Sequence, residues 1–275
     1  MQLLVSVRSA AEVGPALNGG ADIIDAKEPA RGSLGPVSAA TLGEILAEVP
    51  PECPFSIALG DLASPEAVFT AVASLELPVR PGPTYLKLGF AGVRSPEMVT
   101  RILATAVATV AETGSAALVV AVAYADADRA DALAPELIAG SAHRAGAAGV
   151  LLDTHIKDGI GLLGWLASPA IASWVASARG QGLLTALAGA LTLENVDAVS
   201  AAGADVVGVR GAACEGGRGG HVTAKRVSEL RHRLDAFGFY SPMASWRRCR
   251  SVGETRDGVA EPILYSGAKL LRTNA

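Results

Sequence analysis

The sequence predicts a (β/α)8, or TIM, barrel, and three observations carry that expectation. Eight short apolar segments alternate with amphipathic ones along the chain, which is the pattern of parallel strands joined by crossover helices. A phrase recurs before three of those segments: Gly19-Gly20-Ala21-Asp22, Ala145-Gly146-Ala147-Ala148-Gly149 and Ala201-Ala202-Gly203-Ala204-Asp205. In each, a glycine ends a helix and the chain turns inward. The competing open sheet would want G-x-G-x-x-G after its first strand, and Val7-Arg8-Ser9-Ala10 offers none.

Taken in order, Gln2–Val7 reads as the first strand and Ser9–Asn18 as a short helix closed by Gly19-Gly20. Asp22–Lys27 is the second strand. The prolines and glycines of Glu28–Pro36 make the next stretch a loop, and Val37–Glu48 a helix. Phe55–Leu59 is a strand, and Pro65–Leu75 a helix with proline near its start. Thr84–Gly89 is the fourth strand, followed by a long helix over Ser95–Thr113. Ala117–Tyr124 is an almost continuous apolar strand, as a strand buried on both faces should be. Pro135–Ala145 is helical, Val150–Asp153 is the sixth strand, and a loop and helix run on through Arg179. Leu183–Ala188, a helix over Thr192–Ala202, Asp205–Arg210 and a last helix over Thr223–Leu234 complete eight units. The barrel is therefore assigned to 1–234. Residues 235–275, with a basic cluster at Arg247, Arg248 and Arg250, are expected to form a C-terminal extension: a strap or a partly disordered tail, with a role in subunit contacts open.

Length and composition fit one α/β barrel, half of whose residues are hydrophobic. The formal net charge of -4 implies no general attraction to nucleic acid or anionic membrane. Three cysteines far apart, without C-x-x-C, argue against a disulfide framework and against zinc. The four histidines make no metal-ligand spacing, so neither metal nor cofactor is expected. No signal-peptide pattern opens the chain and no apolar run reaches membrane-spanning length, so the expectation is a cytoplasmic protein.

The chemistry is written at the carboxyl ends of the strands, where such barrels carry function. The second strand ends in Asp25-x-Lys27, the fourth in Lys87-Leu88-Gly89, and the sixth in Asp153-Thr154-His155-Ile156-Lys157. In a strand, Ile23, Asp25 and Lys27 share one face. An ion pair at a strand end and a reactive lysine beside a carboxylate both fit one such strand. Three lysines and two aspartates converging on one mouth favour a site for an anionic carbonyl compound. Burial and neighbouring cations disfavour the charged form of lysine and ready it for imine formation. Asp25 and Asp153 would orient the ammonium groups and move protons. That set suits aldol chemistry on a sugar phosphate.

The seventh strand ends in Ala188, Gly189 and Ala190, and the eighth in Arg210, Gly211 and Ala212. Small residues there expose backbone N–H groups where such barrels cradle phosphate, and Arg210 would add a charged clamp. Cys214 reads as packing, and His155, between Asp153 and Lys157, as solvated or packed in preference to lining the site.

These residues carry a resemblance. The phrases Gly19-Gly20-Ala21-Asp22-Ile23-Ile24-Asp25-x-Lys27, Gly32-Ser33-Leu34-Gly35, Lys87-x-Gly89, Tyr124-Ala125-Asp126-Ala127, Leu152-Asp153-Thr154, Lys157-Asp158-Gly159 and Val207-Gly208-Val209-Arg210-Gly211-Ala212-Ala213-Cys214 span the barrel in order. In them the chain resembles the (5-formylfuran-3-yl)methyl phosphate synthases of methanofuran biosynthesis. The resemblance implies a lyase that condenses two glyceraldehyde 3-phosphates into a furan aldehyde phosphate, losing phosphate and water. It implies Lys27 as the Schiff-base lysine, Lys87 as the proton acceptor, and Asp25, Asp153 and Lys157 in support. It also implies a place in one-carbon metabolism, and a homo-oligomer is expected beside it. The tail departs from the shorter members.

Three other enzyme or binding classes share parts of this pattern. A decarboxylase of the orotidine-phosphate type uses Asp-x-Lys-x-x-Asp, and Ala30 breaks that pattern here. An ordinary class I aldolase would share the imine but release a linear sugar phosphate. A non-catalytic barrel that binds a phosphorylated metabolite would leave its ligand unaltered.

Overall fold

A computed structural model of the protein describes residues 1–236. Eight parallel strands close in sequence order: β1 (Gln2–Val7), β2 (Ile23–Ala26), β3 (Phe55–Asp61), β4 (Thr84–Gly89), β5 (Leu118–Tyr124), β6 (Gly149–Asp153), β7 (Leu184–Leu187) and β8 (Val206–Val209). β8 returns to β1 with Leu3 opposite Val207. The expected (β/α)8 barrel is the fold. The further expectation of a C-terminal extension lies almost wholly outside the described residues.

The helices are α1 (Val13–Asn18), α2 (Ala39–Glu48), α3 (Pro65–Ala73), α4 (Pro96–Glu112), α5 (Pro135–Arg144), α6 (Leu162–Trp165), α7 (Ser168–Gly180), α8 (Val196–Ser200) and α9 (Ala224–Ala236). Local chemistry starts several of them. Ser95 Oγ accepts from the Met98 amide, 3.1 Å away, and opens α4 ahead of Pro96. The helices pack on the outer strand face through one cluster that includes Leu3, Ile24, Phe55, Leu86 and Leu152. The inward residues form a second cluster with Ile23, Tyr85, Val120, Val122, Leu151 and Val206.

The recurring phrase has a structural meaning. Gly20, Gly146 and Gly203 all hold positive φ, at 93°, 74° and 77°, ending a helix where a side chain would be strained. The aspartate that follows in two copies pins the neighbouring strand. Asp22 accepts the Leu3 amide at 2.8 Å and Asp205 the Thr185 amide at 2.9 Å. Asp22 also accepts from Arg231 of α9 at 2.7 Å, which ties the last helix to the barrel floor.

Three elements differ from expectation. The first helix is split into a 3-10 turn over Ala10–Glu12 followed by α1. The Glu12 side chain accepts the Arg8 amide at 2.9 Å and pairs with Arg210, which fixes that turn. The helix expected over Thr192–Ala202 shrinks to α8, because Asn195 Oδ1 takes the Thr192 amide and holds a turn instead. A small hairpin after β8, β9 (Cys214–Glu215) with β10 (His221–Val222), had no signal in the sequence reading.

Candidate active site

The carboxyl ends of the strands open into a cavity of about 440 Å³, a size that suits small-molecule sites. Its walls are uneven. Towards β7 and β8 the inward residues are Ala186, Ala188 and Gly208, which leave room; towards β4 to β6 they are Tyr85, Val120 and Leu151.

All five residues expected to be catalytic line this cavity: Asp25 and Lys27 from β2 and its end, Lys87 from β4, Asp153 from β6, and Lys157 from the loop beyond it. Their pairing is not that of sequence neighbours. Asp25 and Lys27 share a strand face, yet it is Lys87 whose Nζ lies 2.7 Å from Asp25 Oδ1. The other oxygen of Asp25 accepts from Ser6 Oγ at 2.7 Å. Lys157 donates to Asp153 at 2.7 Å and to Thr154 Oγ1 at 3.0 Å. Lys27 has no salt-bridge partner among the described residues, though it is only 7% exposed.

Those pairings sort the charges. Burial lowers the Lys27 amine most and the Lys87 cation lowers it further. Asp153 and Asp25 oppose them, Lys157 lowers it a little more, and the amine stands at about 7 instead of 10.5. For Asp25, burial is the largest influence and pushes the carboxyl up. The charges of Lys87 and Lys27, with hydrogen bonds from Lys87 and Ser6, outweigh it and hold the group below the usual carboxylate range. Asp153 is held low in the same way, burial being outweighed by Lys157 and Lys27. The cavity thus holds two compensated lysine–aspartate pairs around one uncompensated amine.

Neighbouring loops fix the segment that carries Lys157. The buried carboxylate of Asp126 accepts the amides of His155 and Ile156 at 2.6 and 2.9 Å. Arg129 donates to Asp158 at 2.8 Å and stacks on the Trp165 ring. His155 is not part of the cavity lining. Its ring meets Tyr124 edge-on at 4.9 Å, and its Nε2 lies 3.6 Å from Asp61.

The rim expected to receive phosphate is built from Ala188, Gly189 and Ala190 after β7 and Gly211 and Ala212 after β8. Gly189 and Ala190 both have positive φ, 110° and 48°. A Cβ on Gly189 would stand 3.2 Å from the Thr154 amide nitrogen. An alanine at φ 48° is uncommon backbone, and such departures gather where a loop serves a ligand.

Arg210 requires a correction. Its guanidinium was expected to clamp phosphate, but every N–H it carries is already used inside the chain. Nη1 donates to Ser6 O and Glu12 Oε2, Nη2 to Glu12 Oε1 and Gly220 O, and Nε to Arg218 O. The physical reason is Glu12, a buried carboxylate that sequence distance hides and that takes both ends of the guanidinium fork. Only the main chain near Arg210 is left to face a ligand.

Sequence reasoning missed Ser6, Ser56, Tyr85 and Arg218, which also line the cavity. Strand period offered a signal for the first three, since Leu4 and Ser6 alternate inward as Ile23 and Asp25 do. The Ser56 hydroxyl is buried and has no partner among the described residues. Burial pushes the Tyr85 phenol up to about 12, so it remains a donor at neutral pH. Among the described residues, no cluster of three or more His, Cys, Asp or Glu is placed to hold a metal ion. Nor is any described helix long and apolar enough to cross a membrane.

A closed parallel barrel with ionisable side chains gathered at its carboxyl mouth is the architecture of an enzyme acting on a small molecule. The family model for 4-HFC-P synthase matches residues 3–231, and the chain belongs to that family of enzymes. It is 36% identical over 239 residues to the (5-formylfuran-3-yl)methyl phosphate synthase of Methanothermobacter thermautotrophicus, covering 86% of this chain and 100% of the relative. Against the synthase of the same name from Methanocaldococcus jannaschii, identity is 35% over 234 residues, covering 84% and 98%. Among solved structures, phosphoribosyl anthranilate isomerase from Thermus thermophilus shares the fold, with a TM-score of 0.54, 15% identity, and coverage of 86% of this chain and 100% of that one.

Proposed function

We propose that the cavity condenses two molecules of glyceraldehyde 3-phosphate into (5-formylfuran-3-yl)methyl phosphate through an imine on Lys27. The observation that carries this is the uncompensated amine: Lys27 stands at about 7 among two lysine–aspartate pairs. A neutral amine at physiological pH attacks a carbonyl, and the iminium that results acidifies the adjacent C–H. Loss of that proton gives an enamine, which forms the new C–C bond to the aldehyde of the second triose. Ring closure and aromatisation then expel one inorganic phosphate and two waters, which balances two trioses against one furan aldehyde phosphate. Lys87 takes the role of proton acceptor once it has handed its own ammonium proton to Asp25, 2.7 Å away, while Asp153 and Lys157 supply the later proton transfers.

The backbone of Ala188, Gly189 and Ala190 and of Arg210, Gly211 and Ala212 receives substrate phosphate in this reading. The product serves a methanofuran-type carrier of one-carbon units, made in the cytoplasm by a homo-oligomer without metal or cofactor. Incubating the full chain with glyceraldehyde 3-phosphate tests the reaction. Mass spectrometry should find the furan aldehyde phosphate, and borohydride should trap one triose on Lys27. A linear sugar phosphate as sole product would make it an aldolase. Trapping on Lys87 or Lys157 with Lys27→Arg still active would reassign the roles.

A further inference from the structure

We propose that Arg218 is the cationic anchor for a phosphate monoester of the substrate, gripping it from the β8 rim while its Nη2 stays tied to the loop after β2. The inference rests on reading the cavity as a site for phosphorylated trioses.

Elimination and geometry both lead there. Of the cations lining the cavity, Lys87 and Lys157 each sit 2.7 Å from their own aspartate, and all five donors of Arg210 are engaged within the chain. Lys27 must be neutral to do its chemistry. Arg218 is the lining cation that remains. Its Nη2 donates to Gly32 O at 2.7 Å and Pro29 O at 3.4 Å. Its Nε and Nη1 hydrogens have no partner among the described residues. That leaves three N–H donors on a fixed cation, half withdrawn from water, to reach separate oxygens of a phosphate.

The scaffold behind Arg218 explains what Arg210 does. Gly216 and Gly217 turn the chain through two positive-φ positions, at 80° and 70°. Arg210 then donates to the carbonyls of Arg218 and Gly220 and holds that turn against Glu12. The buried arginine supports the loop, and the half-buried one faces the cavity. Small neighbours at Gly211, Ala212 and Gly217 leave main chain open beside the guanidinium. Bound phosphate would therefore join the loops after β2 and β8 across the mouth.

The test titrates inorganic phosphate calorimetrically into the full chain as wild type, Arg218→Gln and Arg218→Lys. It then measures KM and kcat for glyceraldehyde 3-phosphate. The loss of charge-assisted bonds should weaken phosphate binding about 10- to 100-fold in Arg218→Gln. KM should rise by a similar factor and kcat change less. Arg218→Lys keeps the charge but not the fork, so it should fall between the two; it also decides the matter if Arg218→Gln does not fold. Wild-type phosphate affinity in either folded variant would overturn the proposal, and so would a wild-type chain that binds no phosphate. A wild type that binds phosphate through Arg218 but makes no furan product would overturn the proposed reaction and leave the anchor standing.

Discussion

Lys87 Nζ and Asp25 Oδ1 meet at 2.7 Å across the intervening strand β3. They can do so because β3 presents only small inward residues there: Ala58 is the register partner of Lys87, and Ser56 that of Asp25. Side chains from alternate strands share a layer in such barrels. The consequence falls on Lys27. Its neighbour's carboxylate is committed elsewhere, and Lys27 is left facing a fixed cation.

The first prediction concerns pH. In the proposed reaction Lys27, at about 7, must lose its proton before it attacks. The rate of imine trapping and kcat/KM should therefore rise about tenfold per unit below pH 7 and level off above it. A profile whose lower limb lies near the ordinary lysine value would show that another group is titrating.

The same shift predicts a stability effect. The folded value of about 7 lies below the ordinary 10.5, so the folded state holds Lys27 charged only at a cost. That cost is full below pH 7 and fades between 7 and 10.5. Lys27→Met should abolish activity and raise Tm, by more at pH 6 than at pH 9. Equal gains at both would mean that the methionine acts by packing alone.

Asp25→Asn removes the counter-charge of a buried lysine. The expected loss is about 3 kcal/mol at pH 7, read from urea midpoints, with activity falling about 100-fold. The folded carboxyl lies below its ordinary 3.8, so its contribution is present above pH 3.8 and is lost as pH falls further. The gap between variant and wild type should accordingly close in acid.

Glu12 and Arg210 act as one unit, paired with both groups nearly sealed from water. Glu12→Ala should destabilise by about 3–5 kcal/mol, and Arg210→Ala by a similar amount. The double variant should cost clearly less than the sum. Additive losses would dissolve the pair and return Arg210 to ligand binding.

A chain ending at residue 236 should fold with Tm within a few degrees of the whole. The barrel closes at β8, and α9 is already anchored through Arg231 to Asp22. Insoluble or unfolded product would make the remaining residues part of the fold.

Much of this protein is legible in one dimension. Strand alternation and helix-ending glycines determined the barrel, because both are local consequences of backbone geometry. The same alternation put Asp25, Lys27, Lys87 and Asp153 at one mouth, since inward period and parallel direction aim them there, and the loop after β6 brought Lys157 beside them. Tertiary structure decided the pairings. Lys87 rather than Lys27 took Asp25, Glu12 took Arg210 from 198 residues away, and Arg218 came to line the cavity with Nε and Nη1 unpaired among the described residues. Ion pairs depend on distances of a few ångströms between segments remote in sequence. Desolvation then turns those distances into charge states, and neither quantity exists until the barrel has closed.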